Sequence, residues 1–450
     1  MPPDRPLWLR DPLAILAEGD AGGGLVVAGG RIVELVPTGR QPATPDASLF
    51  DASGHVVLPG LINTHRHFYQ TLTRACPPAL DRALFPWLVA LYPIWARLTP
   101  EHLRLAARVA LAELLLSGTT TTSDHHYVFN AALADAIDIE IEEARRLGIR
   151  LVATRGSMSL GEDEGGLPPR SVVQREDAIL ADSERLIGRY HEAGDGAVVQ
   201  VALAPCSPFS VTESLMRDTA ALAGRRGVRL HTHLAETRDE EAWCLERFGC
   251  RPVDYLERVG WLDERAWLAH GIWFDDGEVA RLGRARVAIS HCPTSNMILA
   301  SGCCPVGKLE AAGSPVGLGV DGSASNDSSN LIETVRHAFL LQRLMNGAER
   351  VSHRDALRWA TRGSARCLGR ADIGAIASGL QADLALFRLD DLRYSGAGDP
   401  LAALVLCGAS RAERVMVAGR WVVEDGRIPG LDLDALVRAH CAAAAALLQH

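Results

Sequence analysis

Lysine is almost absent from this chain of 450 residues. Of its 46 basic side chains only Lys308 is a lysine, and the rest are arginines. Any mechanism that needs a lysine amine or a carboxylated lysine is therefore excluded unless Lys308 itself supplies it. Positive charge is also outweighed, because 55 acidic side chains leave a formal net charge of −9. This balance argues against a protein that coats a nucleic acid or binds an anionic membrane.

The sequence also lacks a secretory leader, a long apolar run and paired cysteines. Its N-terminus has no basic start followed by an apolar stretch, and no apolar run reaches the ~18 residues of a membrane span. The ten cysteines show no C-x-x-C spacing, which in a long chain favours a reducing compartment over a disulfide framework. We therefore predict a cytoplasmic protein without a membrane partner, with a large core from its 48% hydrophobic residues.

From residue 61 onward, short apolar runs alternate with helical stretches. Eight such runs are separated by crossovers long enough to join parallel strands. The predicted strands are Leu61–His67, Thr119–His126, Arg150–Gly156, Val198–Ala204, Arg229–Leu234, Trp267–Gly271, Val287–His291 and Val316–Asp321. Eight βα units over about 300 residues predict an α/β fold, the (β/α)8 TIM barrel.

Short β-rich segments flank the predicted barrel on both sides. The predicted strands there are Leu25–Ala28, Arg31–Val36, His55–Leu58, Asp383–Arg388, Ala403–Cys407, Arg414–Val417 and Arg420–Glu424. We predict that residues 1–60 and 370–450 form one composite β-sandwich domain from both termini. Residues 61–369 would then form the catalytic barrel.

Histidines and carboxylates stand where the predicted barrel strands end, the face at which barrel enzymes place their chemistry. His65 and His67 lie two residues apart, so on a strand both imidazoles face the same side. The further candidates are His231, His233, Glu236, His270 and Asp321. Each residue alone is readily explained as a packed or turn residue. Ligand-type residues on four strands at one rim, however, indicate a site for zinc or iron(II).

Four segments together resemble the amidohydrolase superfamily. They are residues 58–67 (LPGLINTHRH), 231–236 (HTHLAE), 291–296 (HCPTSN) and 319–322 (GVDG). The resemblance spans essentially the whole chain and is to the branch of guanine, S-adenosylhomocysteine and triazine deaminases. It implies one divalent metal per chain, zinc with iron as the alternative, and the ligands it implies are His65, His67, His233 and Asp321. It also implies that Glu236 shuttles a proton and that His270 contacts the metal-bound water, while His231 is a packed neighbour.

The scarcity of lysine bears on the number of metals. Relatives with two metals usually bridge them with a carboxylated lysine at the end of the fourth barrel strand. Here that strand ends beside Cys206, and Lys308 lies far along the chain. We therefore expect one metal and place Cys206 in the wall of the substrate pocket.

The resemblance implies a hydrolytic deaminase of a free nucleobase. Metal-bound hydroxide, formed with help from His270 and Asp321, would attack the ring carbon that bears an amine. Glu236 would protonate the adjacent ring nitrogen and then the departing ammonia. Residues 73–98 and 125–127 are most similar to 8-oxoguanine deaminases, often labelled hydroxydechloroatrazine ethylaminohydrolases, whose products would be urate and ammonia. The alternatives are isocytosine or guanine deamination and triazine hydrolysis.

Gln70 is the first candidate for contact with the substrate. A carboxamide suits the edge of a base, and a glutamine in this place recognises the base in guanine deaminase-like relatives. The other predicted contacts are Tyr127, His126 and Cys206, and the first two could instead support His65 and His67. Aromatic residues between 81 and 99 are interpreted as lid or core packing. The P-C-x-x-C element of nucleic-acid deaminases is absent, so we expect a small-molecule substrate and, on general grounds, a homo-oligomer.

Overall fold

The computed structural model describes residues 5–449. Its strands are β1 Leu7–Arg10, β2 Ala14–Ile15, β3 Gly24–Ala28, β4 Arg31–Val36, β5 Ser48–Asp51, β6 His55–Pro59, β7 Leu61–Asn63, β8 Thr119–His126, β9 Arg150–Ser157, β10 Val199–Pro205, β11 Leu230–Leu234, β12 Ala266–His270, β13 Ala288–His291, β14 Val316–Leu318, β15 Leu384–Arg388, β16 Arg414–Val417 and β17 Arg420–Val423. Its α-helices are α1 Leu84–Trp95, α2 Pro100–Leu116, α3 Ala136–Leu147, α4 Glu176–Tyr190, α5 Glu213–Arg226, α6 Arg238–Phe248, α7 Pro252–Arg258, α8 Asp276–Arg284, α9 Pro293–Ile298, α10 Val306–Ala312, α11 Leu331–Asn346, α12 His353–Arg358, α13 Ser364–Cys367, α14 Pro400–Leu406 and α15 Leu433–Leu448. None of these helices is long and apolar enough to cross a membrane.

Strands β7 to β14 close into a parallel barrel in the order β10-β11-β12-β13-β14-β7-β8-β9. The ring closes where Leu318 of β14 pairs with Asn63 of β7, and the amide of Thr64 then donates to the Leu318 carbonyl at 2.9 Å. Nearly every residue of these strands is buried, because helices cover the outside and side chains fill the inside. The predicted TIM barrel is confirmed.

Two further sheets pack against the barrel, with strand orders β4-β3-β1-β5 and β17-β16-β15-β6-β2. The second sheet joins the two ends of the chain, because β6 pairs antiparallel with β15 from His55 opposite Arg388 to Pro59 opposite Leu384. A separate apolar cluster that includes Leu25, Val57 and Leu386 supports the two sheets. The predicted extra β-domain from both termini is confirmed, and its limits at residues 60 and 370 stay a prediction.

The structure corrects three predicted strands. The last barrel strand ends at Leu318, so Asp321 follows the strand and does not end it. The first barrel strand ends at Asn63, so His65 and His67 lie in the extended segment after it and not on the strand. The predicted strand Ala403–Cys407 is instead the end of helix α14, because Asp399 caps the helix by accepting from Ala402 N at 3.0 Å, and Pro400 occupies its first turn. Apolar runs this short do not distinguish strand from helix by periodicity.

Candidate metal centre and active site

Four buried groups from three places in the barrel converge at its C-terminal face. His65 and His67 follow β7, His233 lies in β11, and Asp321 follows β14. The Nε2 atoms of His65 and His67 each lie 3.3 Å from Oδ1 of Asp321. The Nε2 atom of His233 lies 3.2 Å from that of His67. The structure therefore brings together all four residues predicted as metal ligands.

Backbone carbonyls fix the orientation of two of these imidazoles. His67 donates from Nδ1 to the carbonyl of His125 at 2.7 Å, and His233 donates from Nδ1 to the carbonyl of Cys206 at 2.7 Å. A carbonyl oxygen can only accept, so the proton of each neutral ring is on Nδ1. Each Nε2 is then left with a lone pair that faces the cluster. His125 also stacks on His233 with 4.8 Å between the ring centroids, which makes it a supporting neighbour.

The third imidazole is held through another histidine. His231 donates from Nδ1 to the Trp267 carbonyl at 2.8 Å and stacks on the Trp267 ring, with the centroids 4.4 Å apart. Its Nε2 must therefore accept from Nδ1 of His65, which lies 2.8 Å away. His231 is the packed neighbour that the sequence analysis expected, and it directs the free Nε2 of His65 toward Asp321.

The donor set fits a divalent cation. Burial lowers the pKa of His65 well below its usual value and that of His233 to about 3, so both rings are neutral at pH 7. Lone pairs on three Nε2 atoms and a carboxylate oxygen then point at one another. These groups repel each other unless a positive charge lies between them. Three imidazoles and one carboxylate are ligands typical of zinc and iron(II).

Three strand-end turns at the site adopt the left-handed conformation without glycine. The φ angles are 53° at Ala235, 71° at His270 and 63° at Asp321. Such conformations are costly for non-glycine residues and are concentrated at functional sites. They turn the chain sharply at the ends of β11, β12 and β14.

Glu236 and His270 lie together beside the cluster. Oε2 of Glu236 is 3.4 Å from Nε2 of His270, which in turn is 3.9 Å from Oδ2 of Asp321. Burial raises the pKa of Glu236 to about 7. Burial would lower the pKa of His270, but the carboxylates of Glu236 and Asp321 outweigh it and raise that pKa. His270 donates from Nδ1 to Oδ1 of Asn296 at 2.9 Å, so Nε2 is the atom that can take up a proton.

Glu240 holds the turn that carries Glu236, and the sequence analysis missed it. Its two carboxylate oxygens accept from the amides of Ala235 and Glu236 at 2.8 and 2.9 Å. The local signal was the helix start at Thr237, whose hydroxyl accepts from Glu240 N. That signal predicts the helix cap. It does not predict that the Glu240 carboxylate reaches back across the turn to the amides of Ala235 and Glu236.

A cavity opens from this cluster toward helix α1. The predicted site residues that line it are His67, Gln70, Tyr127, Cys206, His233, Glu236, His270 and Asp321. His65 lies beneath, fully buried. The cavity therefore brings three of the four predicted metal ligands and three of the four predicted substrate contacts into one space.

His126 is the exception, and its predicted contact with the substrate is corrected. Its ring donates from Nε2 to the Val128 carbonyl at 2.8 Å, and its Nδ1 lies 3.0 Å from Oε1 of Glu140 in helix α3. Neighbouring residues on a strand point to opposite sides. Tyr127 therefore faces the cavity, whereas His126 faces the helix layer.

Gln70 is oriented by the loop after β14. Its Oε1 accepts from Ala324 N at 3.3 Å, so its amide nitrogen is the group left to donate to a ligand. The close approach of the Gln70 side chain to this loop requires Gly322, because a Cβ there would lie 1.7 Å from Oε1 of Gln70. The sequence segment GVDG thus provides both a predicted ligand, Asp321, and the space for Gln70.

Helix α1 covers the cavity. Leu84, Trp87, Leu88 and Tyr92 lie on one face of it and line the space. Trp87 donates from Nε1 to the Ala324 carbonyl at 3.1 Å, which ties α1 to the loop after β14. Two of the aromatic residues interpreted as packing therefore also form the wall of the site.

Known proteins resemble this chain along nearly its whole length. The sequence pattern of the Amidohydrolase family matches residues 56–422. The 8-oxoguanine deaminase of Pseudomonas aeruginosa is 65% identical over 443 residues, which is 98% of this chain and 99% of that protein. Hydroxydechloroatrazine ethylaminohydrolase of Pseudomonas sp. strain ADP is 36% identical over 92% of this chain and 89% of its own length. Atrazine chlorohydrolase of Arthrobacter aurescens TC1, solved with zinc, has a TM-score of 0.91 at 34% identity and covers 97% of this chain and 100% of its own.

Proposed function

This chain belongs to the amidohydrolase family, and we propose that it is a metal-dependent deaminase of free 8-oxoguanine. The reaction takes 8-oxoguanine and water to urate and ammonia, so the bond between the ring carbon and its amine breaks and a carbon–oxygen bond forms. The observation that supports deaminase activity is the position of Glu236 and His270 beside the ligand cluster, at the base of one cavity. The choice of base is supported by the 65% identity to the Pseudomonas aeruginosa enzyme.

One divalent ion would be held by His65, His67, His233 and Asp321, and we propose zinc, with iron(II) as the alternative. When bound, such an ion is a Lewis acid that lowers the pKa of water from about 15.7 toward about 7.

A single-metal site is supported by what ends the fourth barrel strand. Cys206 follows that strand, and its Sγ lies 3.9 Å from Nδ1 of His233, the ring nitrogen that faces away from the ligand cluster. Lys308 lies in helix α10, is exposed and pairs with Asp276 at 2.7 Å, so its amine does not end a barrel strand.

Glu236 and His270 would move the protons. With a pKa of about 7, Glu236 is in large part protonated at neutral pH and can donate to the ring nitrogen next to the reacting carbon. Its Oε1 has no hydrogen-bond partner in the described part of the chain. His270, with Asp321 beside it, would accept the proton of the attacking water on Nε2. Glu236, now ionised, would take the remaining proton from the hydroxyl of the tetrahedral adduct and deliver it to the departing ammonia, and His270, 3.4 Å away, would then return its proton to Glu236.

Polar side chains would bind the edges of the base, and aromatic and aliphatic side chains would cover its faces. Gln70 offers its amide nitrogen, and Tyr127 and Cys206 line the same cavity. Trp87 and Phe209 add aromatic surface, which suits a planar heterocycle.

The decisive experiment is a substrate panel with the purified, metal-loaded protein. Ammonia release is measured with 8-oxoguanine, guanine and isocytosine, and ethylamine release with an ethylamino-hydroxytriazine. We expect the highest kcat/KM with 8-oxoguanine. A higher value with the triazine would reassign the protein as a triazine aminohydrolase, and a higher value with isocytosine or guanine would change the proposed substrate.

We also propose a cytoplasmic location and a homo-oligomeric state. All ten cysteines are free thiols, which supports a reducing compartment. The oligomeric state rests only on its frequency among soluble enzymes and is measured by light scattering.

A further inference from the structure

Helix α1 brings a single hydroxyl group to the cavity. Its cavity-lining residues Leu84, Trp87 and Leu88 are apolar or, at Trp87, already bonded to the Ala324 carbonyl. Tyr92 lines the same cavity, is 1% exposed, and its hydroxyl has no hydrogen-bond partner anywhere in residues 5–449. A buried hydroxyl without a partner is unfavourable, and in a binding cavity the natural partner is a polar atom of the ligand.

The surroundings of this hydroxyl place it on one side of the cavity. Tyr92 packs edge to face on Trp95, Trp95 on Tyr69, and Tyr69 on Tyr127, with 5.9, 5.3 and 5.8 Å between the ring centroids. Tyr127 directly follows β8, which in the barrel order lies four strands from β12 and therefore across the mouth from His270. Tyr92 thus lies on the side of the cavity opposite His270.

The chemistry of the proposed substrate matches this arrangement. In 8-oxoguanine the amine that leaves is on the six-membered ring, and the carbonyl that distinguishes the base from guanine is on the far edge of the five-membered ring. When the amine-bearing carbon lies beside Glu236 and His270, that carbonyl is directed to the opposite side. A carbonyl accepts hydrogen bonds only, and a tyrosine hydroxyl can donate one.

We propose that Tyr92 is a specificity-determining residue whose hydroxyl donates to the carbonyl at the end of the base remote from the reacting amine. The inference rests on the proposed function, since it assumes a base whose amine is removed at Glu236. A site that offers a buried donor discriminates strongly against an analogue without the acceptor, because the donor then stays unpaired. Tyr92 would therefore favour 8-oxoguanine over guanine.

The test compares Tyr92→Phe with the wild-type protein on both bases. The substitution keeps the ring and removes a hydroxyl that bonds to no protein group, so we expect a folded protein with unchanged metal content. We expect kcat/KM for 8-oxoguanine to fall about tenfold while the value for guanine stays within about twofold, which follows from the loss of one neutral hydrogen bond.

Tyr255→Phe is the matched control. Tyr255 in α7 also has a fully buried hydroxyl without a partner in the described chain, but it packs on Phe248 outside the cavity. We expect this variant to change neither substrate. An equal loss on both bases, or no loss, in Tyr92→Phe would overturn the proposal for Tyr92. A wild-type protein that releases no ammonia from 8-oxoguanine would instead overturn the proposed function.

Discussion

The free energy of unfolding of the wild-type protein should fall as pH rises because of Glu140, and replacing Glu140 by glutamine should abolish this dependence. Glu140 in helix α3 and Asp124 and His126 in β8 form a fully buried cluster. His126 donates from Nε2 to the Val128 carbonyl, so its Nδ1 accepts, yet Oε1 of Glu140 lies 3.0 Å from it. Two acceptors at this distance need a proton between them. The neutral carboxylic acid of Glu140 supplies it.

The magnitude follows from the pKa of that acid. Burial raises the pKa of Glu140 from its usual 4.5 to about 8. Between these values the folded protein keeps a proton that the unfolded chain has released, so the free energy of unfolding falls as pH rises. At about 1.4 kcal/mol per pH unit the whole loss is about 5 kcal/mol, with about 3 kcal/mol of it between about pH 5.5 and pH 8. The stabilising contribution is complete below about pH 4.5 and lost above about pH 8.

Glutamine has the shape of the neutral acid, can donate to Nδ1 of His126, and does not titrate. Urea unfolding followed by tryptophan fluorescence should therefore show Glu140→Gln gaining about 3 kcal/mol on the wild-type protein between about pH 5.5 and pH 8. The exposed Glu142 on the same helix is the control, and Glu142→Gln should show no such gain. Parallel pH dependences in Glu140→Gln and wild type would refute a neutral Glu140.

Two further predictions concern the reaction itself. Glu236→Gln should retain one equivalent of metal per chain by elemental analysis and lose about 10²- to 10⁴-fold in kcat, because an amide cannot transfer the proton. Near-normal turnover would show that another group is the acid. Two equivalents of metal per chain would contradict the single-metal site. Gln70→Ala should keep its metal and lose about 10- to 100-fold in kcat/KM, because a hydrogen bond from the amide to the base is removed; an unchanged kcat/KM would show that Gln70 does not contact the substrate.

The convergence of the predicted metal ligands could be expected from the sequence because their signal is local. Parallel barrel strands all end at one face, so residues next to strand ends are brought together once the strands are located. This reasoning identified His233, His270 and Asp321. His65 and His67 also lie in this cluster, although they follow a shorter strand than predicted and their convergence depends on the extended segment after Asn63.

The error at His126 has a physical cause. Strand β8 is buried on both faces, so its sequence shows no alternation that would tell the cavity side from the helix side. The sequence also could not reveal that Glu240 binds the amides of Ala235 and Glu236, because a carboxylate in the first turn of a helix ordinarily indicates only a favourable helix start.

The sequence by itself determined the barrel, the predicted ligand set and, through the lack of lysine, the expectation of a single metal. These follow from strand periodicity and from residue types that no packing can change. Only the tertiary structure decided which nitrogen of each imidazole faces the metal site, since carbonyls of His125, Cys206 and Trp267 fix the protons. It alone also showed that the Tyr92 hydroxyl at the cavity has no hydrogen-bond partner among the described residues. Hydrogen bonds between residues far apart in the chain set the protonation and direction of each group, and these depend on distances that no local pattern records.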